Sequence, residues 1–496
     1  MYGFNHYYLQ FAARKYQPPV LPDDPIGLPE VSVHLPVFNE RYVIRRLVAA
    51  CVVMAEAYGI EKVSILILDD SDDDTAQEID LVVKEYLEKK FKIEILRREN
   101  RTGFKAGALQ AALDRTSEEY IAIFDADFIP PADFLLRTLP FFLKDERLGI
   151  IQSRWTHLNR DYNFLTRAIA LGIDVHFLIE QTGRYAAGCY QNFNGSGGVL
   201  RKKGVLRAGG WSADTLAEDL DLSYRMQHLG YQILYLKDVL SPGEVPPTIP
   251  SFKKQQGRWA CGSLRTAKKI LPGLLFDRKV GFKQRVQAFI HLTGFMIQPL
   301  MVFSFLLTSL VTIFGVNNPS HSPLITLIPP NGILLMPVTM PITSFQNLIW
   351  LILLPFIVLC TLAPWISILS SLRALNLSPA RNLAALFVLL SLGFGLSLSN
   401  TREAGKALLT NRIWEFNRTP KYADLHNKQA WRAKAYQSRM DPIWMAEYFC
   451  MLLGLFAIGV ALQTPNLSVL LILVPFTISY GFIFSFSILQ SRKERS

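Results

Sequence analysis

This sequence is poor in charged residues and lacks paired cysteine motifs. Only 19% of its 496 residues are charged, against about a quarter in soluble domains, and no Asp, Glu, Lys or Arg occurs from Val286 to Leu372. The five cysteines form no C-x-x-C pair, which argues against a disulfide framework or a zinc site and favours reduced thiols facing a cytosol. The net charge of +11 suits anionic lipid or phosphorylated substrates. No Lys/Arg-rich arm with interleaved aromatics is present, so no nucleic-acid partner is expected.

Residues 31–260 read as an α/β domain. The apolar runs "VSVHLPV", "VSILILDD", "KIEIL" and "YIAIFDAD" alternate with helical stretches. This alternation predicts a mostly parallel sheet with helices on both faces. Two of the runs end in acidic pairs, and ligands of such sheets bind outside the carboxyl ends of the strands. A ligand is therefore expected beside these carboxylates.

Most of the remaining chain reads as an α-helical transmembrane bundle. Apolar runs long enough for a hydrocarbon core of about 30 Å predict two transmembrane helices in 286–370 and two in 444–490. A fifth run, 382–399, has basic flanks on both sides, so the positive-inside rule predicts an interfacial or re-entrant segment within 371–443. The uncharged loop 316–344 is predicted to be external.

Three further segments complete the predicted organisation. Residues 1–30 lack the apolar core of a signal peptide and are predicted to lie at a membrane surface. Residues 261–285 are predicted to form interfacial amphipathic helices. The segment 400–441 carries nine Lys/Arg and is predicted to be cytoplasmic, as is the tail "SRKERS".

The pair Asp125 and Asp127 follows the strand "YIAIF". Mg²⁺ is typically held by one or two carboxylates together with substrate phosphates. A metal ion there would meet the negative charge that grows on a departing nucleotide diphosphate. The alternative is a solvated turn with no ligand.

Three other stretches supply candidates for a nucleotide site. In "PVFNE", Phe38 offers a planar aromatic and Glu40 an acceptor for a nucleobase, although an ordinary turn explains the motif equally well. Asp69 and Asp70 are predicted to face the crevice while Asp72–Asp74 cap the next helix; a purely structural turn is the alternative. Lys105 is a candidate diphosphate partner or a solvated helix lysine.

The stretch "LAEDLDLSYRMQHLG" reads as helical, with Glu218 and Asp219 at its start. The functional interpretation makes Asp219 a general base that takes a proton from an acceptor hydroxyl. The structural alternative is an acidic helix N-terminus favoured by the helix dipole. The glycine-rich run 193–211 would permit close approach of the backbone to a sugar.

The cluster "FKKQQGRWACGS" stands just before the uncharged region. The guanidinium of Arg258 suits phosphate oxygens, and Trp259 offers a flat surface on which a sugar ring can stack. The cluster would then lie between an active site and a path into lipid. The alternative is an amphipathic interfacial helix with snorkelling lysines, which would be Lys253, Lys254, Lys268 and Lys269.

The ordered set "LDD", "DAD", "AED" and "QQGRW" ahead of apolar spans resembles the D, DxD, TED, QxxRW signature of membrane-embedded family-2 glycosyltransferases. These include cellulose synthase and the cellulose-synthase-like mannan and glucan synthases. The stretches "NRTGFKAGAL", "FNGSGGV", "AGGW" and "FNRTPKY" (416–422) support the resemblance, which is strong over 30–270. It implies a Rossmann-like glycosyltransferase A-type domain, with a mostly parallel sheet, followed by a transmembrane bundle with interfacial helices. Departures are Ala217 in place of the Thr of TED, no convincing span before residue 30, and no evident cyclic-di-GMP-binding domain.

The resemblance and the residues together give a set of expected roles. Asp219, with Glu218 beside it, is expected to be catalytic, and Asp125 and Asp127 are expected to hold Mg²⁺ or Mn²⁺. The expected nucleotide-sugar contacts are Phe38, Glu40, Asp70, Lys105, Asp125, Gln255 and Arg258. The expected acceptor contacts are Trp259, Phe193, Asn194, Gly195 and Ser196.

The leading hypothesis is an inverting, metal-dependent glycosyltransferase of the plasma membrane with a cytoplasmic catalytic domain. It would transfer glucose or mannose from UDP-glucose or GDP-mannose to a growing β-linked polysaccharide and pass the product through its own spans. One alternative is a single transfer to a lipid acceptor, giving a glycolipid, which the small number of spans favours. Another is a transporter or scaffold with a nucleotide-binding domain, although the uncharged spans argue against ion coupling.

Overall fold

The computed structural model describes residues 1–22, 27–315, 345–410, 441–463 and 467–492. Several predictions fall outside these residues: the external loop 316–344, most of the basic segment (411–440), the motif 416–422 and the last four residues of the tail.

A seven-stranded, mostly parallel sheet forms the centre of the first domain and confirms the predicted fold class. The strands lie in the order β3-β2-β1-β4-β6-β5-β7, and β6 runs antiparallel to both of its neighbours. The other paired strands are parallel. The strand bounds are β1 Val31–Val37, β2 Val63–Asp69, β3 Lys92–Arg97, β4 Tyr120–Ile123, β5 Leu148–His157, β6 Gly198–Arg201 and β7 Gln232–Gly243.

Hydrophobic cores cover both faces of this sheet. In β2, Ile65 and Ile67 enter one core while Leu66 and Leu68 enter the other. Successive side chains of a strand point to opposite faces, so a strand buried on both sides reads as a continuous apolar run. The helices of this domain are α2 Ile44–Tyr58, α3 Thr75–Glu88, α4 Phe104–Arg115, α5 Phe134–Lys144, α6 Phe164–Val175, α7 Thr182–Ala186, α8 Lys202–Arg207 and α9 Glu218–His228, with a 3₁₀ turn at Ile60–Lys62 and a π-helical turn at His176–Gln181.

Further helices, most of them apolar, follow the α/β domain. They are α11 Phe282–Leu292, α12 Ile297–Gly315, α13 Phe345–Ala374, α14 Leu383–Gly395, α15 Ser397–Leu409, α16 Trp444–Ala461 and α17 Leu470–Arg492, with 3₁₀ turns at Gly294–Met296, Ala380–Asn382 and Leu467–Val469. The N-terminal helix α1, Tyr2–Ala13, packs against α13 and α7.

Three helices in the described part of the chain are long and apolar enough to cross a membrane: Gly294–Gly315, Trp444–Ala461 and Leu470–Ser491. The helices Ala380–Gly395 and Ser397–Leu409 meet at a bend of 41°, which fits either a broken fourth span or a re-entrant loop. This bend falls in the run expected to be interfacial or re-entrant. The arrangement of these helices relative to lipid stays a prediction.

One long helix, α10 (Ile249–Phe276), connects the two parts of the protein. It begins where the Thr248 hydroxyl caps the first turn, with Pro250 in that turn, as is usual at a helix N-terminus. It packs against α9 and α11 and against α15 and α17. The predicted boundary between residues 260 and 261 therefore falls inside a single helix.

The alternative interpretation expected the lysines of α10 to extend to the membrane interface, but two of them form ion pairs within the protein instead. The Lys253 side chain is only 5% exposed, and its Nζ lies 2.6 Å from Glu447 Oε2 on α16. Lys269 Nζ lies 2.9 Å from Asp214 Oδ2 and 3.0 Å from Asp221 Oδ1. Both lysines hold α10 to neighbouring elements through ion pairs, because acidic partners from distant parts of the chain reach them.

Candidate active site

A cavity of about 190 Å³ lies at the carboxyl ends of β1, β2 and β4. We call it the outer cavity. The structure brings most of the predicted site residues to its walls, from patches of chain far apart in sequence. Those that line it are Phe38, Glu40, Asp70, Lys105, Asp125, Asp127, Asn194, Glu218, Asp219, Gln255, Arg258 and Trp259.

Four of these residues reach the cavity because each one closely follows a strand of the sheet. β1 pairs with β2 on one side and with β4 on the other, all in parallel. The carboxyl ends of the three strands therefore meet at one edge of the sheet, where ligands of α/β proteins bind. Phe38 follows β1, Asp70 follows β2, and Asp125 and Asp127 follow β4 within a few residues.

The two acids that end β2 have different surroundings. Asp70 lines the outer cavity and is held by Arg98, whose Nε donates to Asp70 Oδ1 at 2.9 Å. Asp69 was also expected to face the crevice, but it is not among the cavity residues. Its carboxylate is buried and accepts a hydrogen bond from Arg97 Nε at 2.8 Å. The alternation of side chains along a strand places neighbours on opposite sides, so only one of the pair reaches the cavity.

Lys105 is a largely enclosed member of the site, with 17% of its side chain exposed, and not a solvated helix lysine. Its Nζ donates to Asp125 Oδ1 at 2.6 Å and to the carbonyl of Gly195 at 2.9 Å, and lies 3.8 Å from Glu218 Oε1. Burial alone would lower the pKa of Lys105, but the charges of Asp125 and Glu218 outweigh it and raise the pKa above its ordinary value. A permanent positive charge therefore lies among the acids of the cavity.

Asp219 has an unusual carboxyl group. Burial and the neighbouring charge of Glu218 raise its pKa from 3.8 to about 7, although Lys105 acts in the opposite direction. Its Oδ1 accepts a hydrogen bond from the Leu220 N–H at 2.8 Å. A carboxyl that titrates near neutral pH is well matched to general-base catalysis.

The backbone beside Asp219 requires glycine. Gly195 has a φ of +80°, and a Cβ there would lie 2.8 Å from Asp219 Oδ2 and 3.3 Å from Lys105 Nζ. Any side chain would strain the backbone and displace the carboxylate. The sequence predicted that the backbone at this glycine approaches a sugar closely. In the structure it closely approaches the side chains of Asp219 and Lys105.

The predicted acceptor roles of Phe193 and Ser196 do not fit their placement. Phe193 is fully buried in the hydrophobic core on one face of the sheet. Ser196 is also fully buried, and its Oγ accepts a hydrogen bond from the Asp125 N–H at 2.9 Å. Both residues support the site from beneath, and of the run 193–196 only Asn194 lines the outer cavity.

Helix α10 supplies Gln255, Arg258 and Trp259. Positions three and four apart share one helix face, so all three reach the cavity. Gly262, one turn further on, allows the helix to approach the loop before α9: a Cβ there would lie 2.7 Å from Ala217 Cβ. The small residues at positions 217 and 262 allow this close approach of α10, the helix that carries Arg258 and Trp259.

A second cavity of about 570 Å³ adjoins the first, and we call it the inner cavity. Both cavities share walls formed by Trp155, Asn194, Asp219 and Trp259. The inner cavity extends to residues of α1, α6, α12 and α14. Its volume lies within the range of about 300–1,000 Å³ that is typical of ligand sites.

Several residues of the site were not predicted from the sequence. Arg101 lines the outer cavity with its guanidinium 3.2 Å from the centre of the Phe38 ring, so a cation already covers one face of that ring. Trp155, on β5, lines both cavities, and its Nε1 donates to the Ser196 carbonyl at 2.9 Å. The residue types were visible in the sequence, but no local spacing indicated that they reach the strand ends.

Asp125 and Asp127 offer hard oxygen ligands on one wall of the cavity. Among the residues that the structure describes, no group of three or more His, Cys, Asp or Glu has the geometry of a metal site. Mg²⁺ and Mn²⁺ sites that use substrate phosphates need only one or two protein carboxylates. The donor set therefore fits such an ion when a diphosphate supplies further oxygens.

Comparison with known proteins gives matches over the part of the chain that supplies most residues of both cavities. The family model "Glycosyl transferase family group 2" matches residues 120–398, and "Glycosyl transferase family 2" matches residues 32–196. Glucomannan 4-beta-mannosyltransferase 2 of Arabidopsis thaliana is 36% identical over 276 residues, which cover 54% of this chain and 51% of that protein. Glucomannan 4-beta-mannosyltransferase 1 of Oryza sativa subsp. japonica is 35% identical over 282 residues, covering 55% and 54%.

The chain thus spans about half the length of the curated relatives it matches. Among solved structures, the mannosyltransferase PcManGT from Pyrobaculum calidifontis, in complex with GDP-Man and Mn²⁺, superposes with a TM-score of 0.47 at 21% identity. The superposition covers 58% of this chain and 78% of that one.

Proposed function

Because this chain belongs to glycosyl transferase family group 2, we propose that it is a hexosyltransferase that builds a β-linked polysaccharide from a nucleotide-diphosphate sugar. The names of the curated relatives favour mannose from GDP-mannose, with glucose from UDP-glucose as the other donor. The observation that carries the proposal is the convergence of Asp70, Asp127, Asp219 and Trp259 on one cavity.

The proposed chemistry is a direct displacement at the anomeric carbon. Asp219 takes the proton from an acceptor hydroxyl, and the oxygen attacks the anomeric carbon from the face opposite the diphosphate. The bond to the diphosphate breaks as the new glycosidic bond forms, so the anomeric configuration inverts. The raised pKa of Asp219, about 7, makes this carboxylate a stronger base than an ordinary aspartate. Alignment of base, acceptor and leaving group supplies much of the rate enhancement.

The leaving diphosphate needs positive charge around it. Arg258 on α10 and Lys105 on α4 both line the outer cavity and would contact the phosphate oxygens, with Gln255 beside them. Asp125 and Asp127 would hold a divalent cation, Mg²⁺ or Mn²⁺, which would neutralise charge on the diphosphate as it departs. Phe38, Glu40 and Asp70 form the part of the wall proposed for the nucleoside.

The acceptor is proposed to stack on Trp259, which lies where the two cavities meet. The inner cavity leads from Asp219 towards the apolar helices α12 and α14, and this direction supports a growing chain that passes into the membrane part. We accordingly propose a multi-pass protein of the plasma membrane with the catalytic domain on the cytoplasmic side. Processive elongation coupled to translocation belongs to the same proposal.

A second candidate function is the transfer of one sugar to a lipid acceptor. The described helices offer three candidate spans, or four if the bent pair is one span, which is few for a translocation channel. The same outer cavity would perform the chemistry. The product would be a glycolipid instead of a polymer.

A panel of radiolabelled nucleotide sugars tests both candidates with the purified full-length protein in lipid nanodiscs. The proposal predicts label from GDP-mannose or UDP-glucose in a ladder of chains that a β-1,4-specific hydrolase degrades. A single labelled lipid species would establish the second candidate instead. Absence of transfer from every nucleotide sugar, with the protein folded and divalent metal present, would refute both.

A further inference from the structure

A charged cluster in the inner cavity has no role in the chemistry proposed above. His176 and Glu180 lie on the π-helical turn, and Arg184 lies four residues further, on α7. Glu180 Oε2 lies 3.3 Å from His176 Nδ1, and it accepts a hydrogen bond from Arg184 Nη2 at 3.3 Å. All three side chains line the inner cavity. π-Helical turns are rare and occur frequently at functional sites.

The cluster connects to the reaction centre through one side chain. His176 Nε2 lies 3.2 Å from Asn194 Oδ1, and Asn194 lines both cavities together with Asp219. Glu180 is therefore linked to the wall beside the base through two intervening residues. A sugar unit bound at Glu180 would belong to a molecule that also reaches Asp219.

Glu180 keeps its negative charge in this setting. Burial would raise the pKa of its carboxyl, but the hydrogen bond from His176 and the charge of Arg184 outweigh burial and hold the pKa well below its ordinary value. The carboxylate is thus present as a strong hydrogen-bond acceptor across the physiological pH range.

Other residues around the same cavity have buried polar atoms without hydrogen-bond partners in the part of the chain that the structure describes. The Arg184 side chain is 5% exposed, and its Nε and Nη1 are unpartnered. The amide oxygens of Asn192, Gln298 and Asn400 are likewise buried and unpartnered. Buried polar groups are nearly always satisfied, so this concentration at one cavity indicates a polar ligand. A sugar fits, because each hydroxyl both donates and accepts a hydrogen bond.

We propose that Glu180 is the central contact of an acceptor-sugar subsite in the inner cavity, where its carboxylate accepts hydrogen bonds from hydroxyl groups of a neutral glycan. Arg184 donates to a hydroxyl oxygen of the same sugar unit, and the amides of Asn192 and Gln298 accept from further hydroxyls. This subsite rests on the proposed function, since it positions the acceptor for Asp219. It differs from stacking on Trp259 because directed hydrogen bonds fix the orientation of the ring.

Calorimetric binding of β-1,4-mannohexaose and of octyl β-mannoside to the full-length protein in nanodiscs tests this subsite. Wild-type protein is expected to bind the hexaose, and Glu180→Gln to bind it about 10-fold more weakly, because the charged acceptor is lost while the shape is kept. GDP binding is expected to change less than twofold. The matched control is Glu94→Gln, the same substitution at an exposed position on β3, which should match wild type in both measurements. If Glu180→Gln weakens the binding of octyl β-mannoside as much as that of the hexaose, the subsite is assigned to a single lipid-linked sugar. If the variant weakens binding of the hexaose alone, the subsite is assigned to a polymer.

A second variant covers the outcome in which Glu180→Gln disturbs folding. Gln298→Met removes one unpartnered amide oxygen and leaves the ion pair of Glu180 in place. It should weaken hexaose binding about threefold with an unchanged melting temperature. If both variants bind the sugars as wild type does, or if wild type binds neither sugar, the subsite is refuted. The labelled-donor panel is independent of these measurements, so a wild-type protein that transfers sugar would keep the proposed function even then.

Discussion

The rate of sugar transfer should depend on pH through the carboxyl of Asp219. A general base must be ionised to accept a proton, so activity is lost as the pH falls through the pKa of the base. Burial is the main cause of the raised pKa of Asp219, and the negative charge of Glu218 adds to it. The perturbations are therefore the pH itself and the variant Glu218→Gln.

The size of the effect follows from the pKa of about 7. Below this value the ionised fraction falls about tenfold per pH unit, so transfer at pH 5 should be about 1% of the plateau reached above pH 8. An aspartate with the ordinary pKa of 3.8 would still be about 90% ionised at pH 5. The two cases differ nearly 100-fold at one pH.

The assay is kcat/KM for the acceptor, measured from pH 5 to pH 9 at saturating labelled donor, because this quantity reports the pKa of the enzyme before the acceptor binds. Nucleotide binding measured at each pH distinguishes a slower chemical step from weaker binding of the donor. In Glu218→Gln the neighbouring negative charge is gone, so the pKa of Asp219 falls and the midpoint of the profile moves to lower pH. A wild-type midpoint near pH 4, or a midpoint that the variant leaves in place, would show that the buried Asp219 carboxyl does not set the pH profile.

Three further substitutions test separate parts of the structure. Gly195→Ala should reduce transfer at least 100-fold, because the added Cβ would lie 2.8 Å from the carboxylate oxygen of Asp219. The control is Gly230→Ala, also at positive φ but with nothing within 4 Å of the added Cβ; it should lose only about 1 kcal/mol of stability and keep its activity. Lys253→Met should lower the free energy of unfolding by about 3–5 kcal/mol, since Glu447 stays buried without its partner. Adding Glu447→Met should restore most of this stability in thermal melts. Equal melting temperatures for the single and double variants would contradict this. Asp127→Asn should weaken metal-dependent donor binding at least tenfold, as chelation does in the wild type; donor binding that chelation leaves unchanged would remove the proposed metal.

The strands and the acidic strand ends were predictable because their signals are local. Runs such as "VSILILDD" show continuous apolar character, and Asp70 and Asp125 follow such runs directly. Parallel pairing then brings these ends to one edge whatever the details of the loops. β5, β6 and β7 were not delimited in advance, since the single antiparallel strand β6 and the shifts in register between β5 and β7 depend on tertiary packing.

Contacts between distant parts of the chain were less predictable. Lys253 and Glu447 are 194 residues apart, and nothing near the lysine indicates a buried partner. In the glycine-rich run, Phe193 and Ser196 looked as suited to a sugar as Asn194, and only the folded structure shows which of them are buried. The π-helical turn that carries Glu180 has no known sequence signature in this stretch, so its cluster emerges only from the fold.

The most direct test of the account compares nucleotide binding and sugar transfer in Asp219→Asn and in wild type. Both are measured on the same nanodisc preparations, by calorimetry with GDP or UDP and by incorporation of labelled sugar. We expect nucleotide binding within about twofold of wild type and transfer below about 1%, because the amide cannot accept the acceptor proton. Transfer at the wild-type rate in this variant would show that the outer cavity does not perform the proposed chemistry.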